Sequence, residues 1–408
     1  MTTPAITTHS LLGAAEAILP DVIEVRRQLH RHPEIGLHLP ETQAAVAESL
    51  RAIGLEPRLG ASTTSVVAII EGARPGPTIL LRGDMDGLPL REDTGLPFAS
   101  ENPATMHACG HDTHVAMLLG AARLLVERRD ALAGRVLFMF QPGEEGYHGA
   151  RFMLDEGLLE DGAHGVGGVQ RAVAIHISTE HAAGTIALRP GPLMASHDTI
   201  KATIRGRGGH ASAPHLALDP IPTAAELVLA LQVAVTRCVD PFDPAVLTIA
   251  RISGGTTNNI IPGTVEIEGT IRTVSAKTRT VMRELVQRVA SGVAAAHGTI
   301  IDLEIVPGYP VTVCDPDVTA WVRGLAVELA GEASVHDLEQ PIMGAEDFSY
   351  VTERVPGMMA FLGACPPSED PASGPQNHSN LVVFHEPSMA LGVALYAAAA
   401  LDFLGDRE

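Results

Sequence analysis

Basic residues are in short supply. The chain has 28 Lys and Arg against 48 Asp and Glu, a formal net charge of −20 over 408 residues. A nucleic-acid partner selects for clustered Lys and Arg, so none is expected here. No stretch offers the ~18 or more uninterrupted apolar residues of a membrane span. Met1 to Pro20 has neither the basic head nor the sustained apolar run of a secretion signal. These two lacks predict no membrane partner and a cytoplasmic location. Cysteine is sparse as well. Cys109, Cys238, Cys314 and Cys365 are far apart and never in C-x-x-C spacing, which excludes a disulfide framework. Three of them are expected to be ordinary buried residues.

What remains is a globular composition, 46% hydrophobic, in a chain too long for one core of typical size. Two domains, possibly a third, are expected. The most informative stretch is Met106-His107-Ala108-Cys109-Gly110-His111-Asp112-Thr113-His114. An apolar run follows, Val115 to Val126, and reads as a helix whose first turn begins near Asp112, a good N-cap type. A thiol and an imidazole at C-x-H spacing just ahead of a helix N-terminus are ligand types for zinc or a similar divalent ion. The plainer reading is a capped helix after a polar loop.

Around this cluster, apolar strands alternate with helices. Asp21 to Arg31 and Thr42 to Leu50 have helical spacing. Ser65 to Ile70 and Thr78 to Leu81 read as buried strands. The second of them runs into Asp84-Met85-Asp86, two carboxylates at i and i+2 on one side of an extended chain, which serve either a ligand or an Asp-stabilised turn. Arg135 to Gln141 is a strand ending at Pro142-Gly143-Glu144-Glu145-Gly146. Adjacent carboxylates there suit metal-assisted hydrolysis, one as ligand and one as proton acceptor. Ala172 to His176 is a further strand that ends in a histidine. The pattern implies a largely parallel α/β sheet with its ligand site beyond the carboxyl ends of the strands, where these side chains fall.

From about Gly184 to Arg189 the pattern changes. Strand (199–205), helix (224–236), strands (246–252) and (265–272), helix (276–297) and strand (299–306) give the β-α-β-β-α-β order of a ferredoxin-like unit. Asp219-Pro220 opens its first helix, Ser275 caps the second and Gly298 ends it. The domains predicted are therefore 1–187 with 309–408, and an inserted 188–308. Gly208 to His215 and Thr256 to Asn259 are polar loops of the insert. Gly344 to Phe348 and Gln376 to Asn380 are polar loops of the last segment.

Together these stretches resemble the M20 metallopeptidase family, in its branch of N-acyl-amino-acid and hippurate-type amidohydrolases. The resemblance rests on Arg26-Arg27-Gln28-Leu29-His30 with Pro33-Glu34, Arg82 to Asp86, Met106 to Asp112, Gln141 to Gly146, Gly208 to Ser212, Gly344 to Phe348 and the loop around His378. It implies an α/β catalytic domain of mostly parallel sheet and an inserted α+β lid that also dimerises. It implies two divalent metals (Zn, Mn or Co) held by Cys109, His111, Glu145, His176 and His378. Glu144 would be the general base, Asp86 would orient a ligand's neighbourhood, and His210 would stabilise the oxyanion across a dimer interface. Asn258, Asn259 and Arg272 match positions that contact substrate. The implied reaction is hydrolysis of an N-acyl amino acid. A dipeptidase or other amide hydrolase of the same fold, a thiol hydrolase built on Cys109, and a non-catalytic binder of acylated amino acids are the alternatives. One departure is Leu39, where many members have Glu, and its effect is expected on packing.

Overall fold

The computed structural model describes residues 8–160 and 168–405. The chain divides into two compact units, Met1–Leu193 with Val313–Gln340 and Tyr350–Glu408, and Met194–Thr312 with Pro341–Ser349.

The first unit is built on α1 (Thr8–Arg31), β1 (Val66–Glu71), β2 (Arg74–Asp84), α2 (His111–Val126), β3 (Ala133–Gln141) and β4 (Val169–Ala182). The second contributes β5 (Ser196–Arg205), α3 (Pro220–Cys238), β6 (Ala245–Gly254), β7 (Thr264–Thr273), α4 (Ala276–His297) and β8 (Ile300–Pro307). The chain then returns to the first unit for β9 (Gly357–Cys365) and α5 (Met389–Leu404).

The large sheet has eight strands in the order Arg58–Leu59, β1, β3, β2, β4, β9, Ile186–Leu188, Val335–Asp337. Its four central strands are parallel. β1 joins antiparallel at one side, and Ile186–Leu188 runs antiparallel to β9 at the other. Every residue of β9 is buried, as a strand covered on both faces should be. α1, α2 and α5 pack together over the sheet. α5 is apolar all round and almost wholly buried, which is where such a helix belongs. Glu386–Leu404 and Pro220–Cys238 are both long and apolar enough to cross a membrane by length and composition, but the former is a core helix. Leu39, where the resemblance leads one to expect Glu, is fully buried.

The strand order creates the site. After β2 the chain moves through α2 to β3 on one side, whereas β4 lies on the other side of β2. The carboxyl ends of β2 and β4 therefore flank a switch point, the place where open α/β sheets leave a crevice. Pairing between these strands ends at Arg82 with Ala174. His176 is not at a strand end, as the sequence pattern implied. β4 continues to Ala182 because it keeps pairing with β9, so His176 projects from the part of β4 that has left β2.

The second unit is a four-stranded antiparallel sheet in the order β6-β7-β5-β8, with α3 and α4 packed on it through a common apolar core. This is the ferredoxin-like arrangement that the element order implies. Ser275 accepts a hydrogen bond from the Thr278 amide and Gly298 closes α4 in the left-handed region. Against the expected 188–308, the structure keeps Ile186–Leu188 in the large sheet and adds Pro341–Ser349 to the second unit. The cause is local: the Ala195 amide donates to Ile342 and Gly344 carbonyls, and the Arg272 guanidinium donates to Met343 O at 2.6 Å. Cys314 and Cys365 are buried, but Cys238 is exposed, because α3 ends at the surface there.

Candidate metal and catalytic centre

The centre is assembled from turns. Gly110 precedes α2 with φ +83°, and a Cβ on it would lie 2.4 Å from Ile177 Cγ2. Only glycine lets the Cys109–His111 turn come this close to β4. Gly110, not Asp112, is the N-cap residue. Asp112 is inside the first turn, its carboxylate 2.7 Å from both Arg26 Nε and His30 Nδ1. That buried network ties α1 to the start of α2 and gives His30 a structural role.

Asp86 organises the acidic turn after β3. Its two carboxylate oxygens accept the Glu144 and Glu145 amides at 2.9 and 3.0 Å. Its backbone carbonyl accepts from His111 Nδ1 at 2.8 Å. With Nδ1 as donor, His111 Nε2 carries the lone pair and faces the cluster. His176 is fixed in the same way, Nδ1 donating to the Ile177 carbonyl at 2.7 Å, so that Nε2 comes within 3.4 Å of Cys109 Sγ. His378 has φ +71°, a strained conformation for a residue with a Cβ. Its amide is held by the Ala108 carbonyl, and its Nε2 is 3.2 Å from Glu145 Oε1.

These side chains meet in three trios whose ligand atoms lie within 4.8 Å of one another: Cys109, His111 and His176; Cys109, Glu145 and His378; His111, Glu144 and Glu145. Cys109 is shared by two of them. All six residues belong to the first unit. The structure thus brings together residues as remote as Cys109 and His378.

The donors fit a divalent cation. Among the described residues, buried His111 Nε2 has no hydrogen-bond partner, a costly state that a cation relieves. Thiol, imidazole and carboxylate are ligand types for zinc and its neighbours. The charges say the same. Burial disfavours charge on His111, yet Asp84 and Cys109 overcome it and raise its pKa well above the ordinary value. Burial likewise opposes ionisation of Glu145, and the hydrogen bond to His378 with the nearby His111 charge lowers its pKa nonetheless. Hydrogen bonding to Cys109 and Glu145 raises His378 to about 10. Without a cation, protons on imidazole balance the acids. Burial, then Glu145, pushes the Cys109 thiol up, which opposes its use as a free nucleophile.

Two residues given no ligand or base role by the resemblance complete the surroundings. Asn377 Nδ2 bridges the carbonyls of Cys109 and Ile177 at 3.1 and 3.0 Å, pinning the His378 loop to α2 and β4. His114 accepts the Ile177 amide at Nε2, 2.8 Å, and binds Asp84 Oδ1 through Nδ1 at 2.5 Å. The available signal was spacing: His114 is three residues after His111 on one helix face, and Asn377 adjoins His378.

The other expected site residues lie in the second unit. His210 is on a two-residue strand paired with Ile260–Ile261. Its Nδ1 accepts from the Ser212 amide at 3.1 Å, which leaves Nε2 as the ring's donor. The Ala211 amide donates to Asn259 O at 3.1 Å, so His210 and the exposed Asn258-Asn259 turn are neighbours. Arg272 is not with them. It is half-buried near the far end of β7, roughly 26 Å from Thr264 at about 3.3 Å per residue. Burial lowers its pKa.

Comparison with known proteins identifies the family. The model of peptidase family M20/M25/M40 matches residues 80–402. Thermostable carboxypeptidase 2 of Saccharolobus solfataricus is 38% identical over 94% of this chain and 95% of its own. N-acetyl-L-cysteine deacetylase of Bacillus subtilis is 40% identical over 84% of this chain and 80% of its own. Among solved structures, a dinuclear metal-binding peptidase of the M20 family from Bacillus subtilis superposes with TM-score 0.81 at 33% identity, covering 95% of this chain and 98% of that one. The site and fold are those of a metal-dependent amide hydrolase. The chain belongs to peptidase family M20/M25/M40.

Proposed function

We propose that this protein hydrolyses the amide bond of N-acyl amino acids, releasing a carboxylic acid and an amino acid. The observation that carries the reading is the pair of trios sharing Cys109 beside the buried Glu144. Cys109, His111, Glu145, His176 and His378 would hold two divalent ions, Zn, Mn or Co. When bound, such ions supply Lewis-acid charge to the amide carbonyl and to water. Glu144, aimed by the bond from its own amide to Asp86, takes the proton from water and returns it to the leaving amine. His210 Nε2–H donates to the developing oxyanion. Arg272 receives the substrate carboxylate, and Asn258 and Asn259 its other polar groups. A carboxypeptidase and an N-acetylcysteine deacetylase both cut an amide on the nitrogen of an amino acid with a free carboxylate. Relatives of both names therefore support this bond type.

A homodimer through the second unit belongs to the same proposal. The roughly 26 Å along β7 between Arg272 and Thr264 supports a reading in which His210 and Arg272 reach one substrate from two different copies. Two features support such pairing. β6 is an edge strand with an unpaired side, a template for another strand. The outer face of α3 beside it exposes Leu229 and Val233.

The test is hydrolysis of hippurate, acetyl-amino acids and dipeptides by protein loaded with Zn²⁺, Mn²⁺ or Co²⁺ and by chelated protein. Metal-dependent release of amino acid from acyl substrates supports the proposal. Preference for free dipeptides would move the assignment to dipeptidase.

A further inference from the structure

The parting of β2 and β4 is held by side chains. In an unbroken parallel ladder, alternate amides of β4 would donate to carbonyls of β2. Beyond Ala174 they do not. The Ile175 amide donates to the Tyr396 hydroxyl at 2.8 Å, and that hydroxyl donates to the Arg82 carbonyl at 2.6 Å. The Tyr396 oxygen is thus inserted between the two strands where their pairing stops. Two residues on, the Ile177 amide donates to His114 Nε2 at 2.8 Å, and His114 Nδ1 reaches Asp84 Oδ1 at the end of β2. Tyr396 comes from α5 and His114 from α2, and both are fully buried. Two side chains from different helices therefore replace two rungs of the ladder.

His176 is the residue between those two rungs. Its ring is oriented by the Ile177 carbonyl, so the path of β4 at Ile175 and Ile177 fixes where Nε2 points. We propose that Tyr396 and His114 are positioning residues that wedge β2 from β4 and so set the His176 imidazole for the metal. This rests on the reading of His176 as a ligand. Neither residue touches the reacting atoms. A side chain that merely filled the core would affect stability alone, whereas a wedge affects the metal through His176. Partners that orient a ligand in this way typically carry roughly 10–100-fold in metal affinity.

The test is Co²⁺ titration of the metal-free full chain, followed by calorimetry and by thiolate and ligand-field absorption, with thermal unfolding measured in parallel. His176→Ala comes first, and an altered cobalt spectrum establishes the ligand. Tyr396→Phe keeps the ring and removes the wedge oxygen. It is expected to weaken Co²⁺ by tenfold or more and to shift the ligand-field bands. His114→Ala should do the same, and His114→Gln, whose amide oxygen can accept the Ile177 amide, should recover part of the loss. Val393→Ala, a buried change on the same helix, should lower stability and leave Co²⁺ affinity intact. Should Tyr396→Phe not fold, the His114 pair decides. The proposal is overturned if His176→Ala alters the spectrum while Tyr396→Phe and His114→Ala bind Co²⁺ like wild type. It is also overturned if Val393→Ala weakens Co²⁺ equally. An unchanged spectrum in His176→Ala would remove the ligand reading itself.

Discussion

Asp86 offers the sharpest perturbation, because the amides its carboxylate accepts can be counted, while the same carboxylate also lies 3.4 Å from His111 Nδ1. It accepts the amides of Glu144 and Glu145 at 2.9 and 3.0 Å while almost wholly buried. Asp86→Ala strands both donors. A buried donor left without its partner costs about 1–3 kcal/mol, so the variant should lose roughly 2–6 kcal/mol of stability. Asp86→Asn keeps one acceptor oxygen and turns an NH2 toward the other amide. It should lose roughly half as much, by the same reckoning. Function should suffer more evenly than stability. Either change frees the turn that aims Glu144 and Glu145, so both metal affinity and kcat should fall, the affinity by roughly 10–100-fold. Urea unfolding of the metal-free variants and calorimetric metal titration read the two effects separately. If Asp86→Ala unfolds within about 0.5 kcal/mol of wild type and binds metal equally well, then the turn is held by something else and the argument fails.

Glu144→Gln should keep the metal content of wild type and lower kcat by about 10²–10⁴, the usual worth of a positioned proton acceptor; turnover near wild type would remove Glu144 from the chemistry. Metal binding should release protons. His378 titrates at about 10 in the metal-free protein, so it is charged near pH 7, whereas a metal ligand must be neutral. Titration calorimetry in buffers of different ionisation enthalpy should find at least one proton released at pH 7, and affinity rising with pH; no release would contradict the protonated cluster. The sign for stability is the opposite one. A raised histidine pKa stabilises the metal-free fold fully below its unfolded value near 6.5, and that contribution should fade as pH rises through about 10. Chemical denaturation of metal-free protein between pH 6 and 10.5 measures it. Leu229→Glu with Val233→Glu should give monomers by light scattering, with hydrolysis lost and metal retained; an active monomer would refute a shared site.

The first unit's site was legible because its residues cluster in sequence near strand ends. Glu144 and Glu145 follow a strand with nine-residue regularity, and Cys109 and His111 precede a helix. The switch point follows from the alternation of elements. Local pattern gave the wrong N-cap: Asp112 is a favoured cap type, but Arg26 claims its carboxylate, and a pairing 86 residues away along the chain leaves no local trace. His176 looked terminal because apolar periodicity breaks there, while backbone pairing with β9, nearly two hundred residues on, continues the strand. The return of Pro341–Ser349 to the second unit was invisible for the same reason, being made by main-chain bonds to Ala195 and by Arg272. Tyr396, in an alanine-rich helix, reads as core filling until its hydroxyl is placed between two strands.

The central claim is that Cys109, His111, Glu145, His176 and His378 hold the cations on which hydrolysis depends. Elemental analysis of purified protein, paired with N-acyl amino acid hydrolysis before chelation, after exhaustive chelation and after re-addition of metal, tests it most directly. The account expects about two ions per chain, activity that disappears with them and returns on reloading, and neither in Cys109→Ala. Undiminished hydrolysis by protein stripped of metal would contradict it.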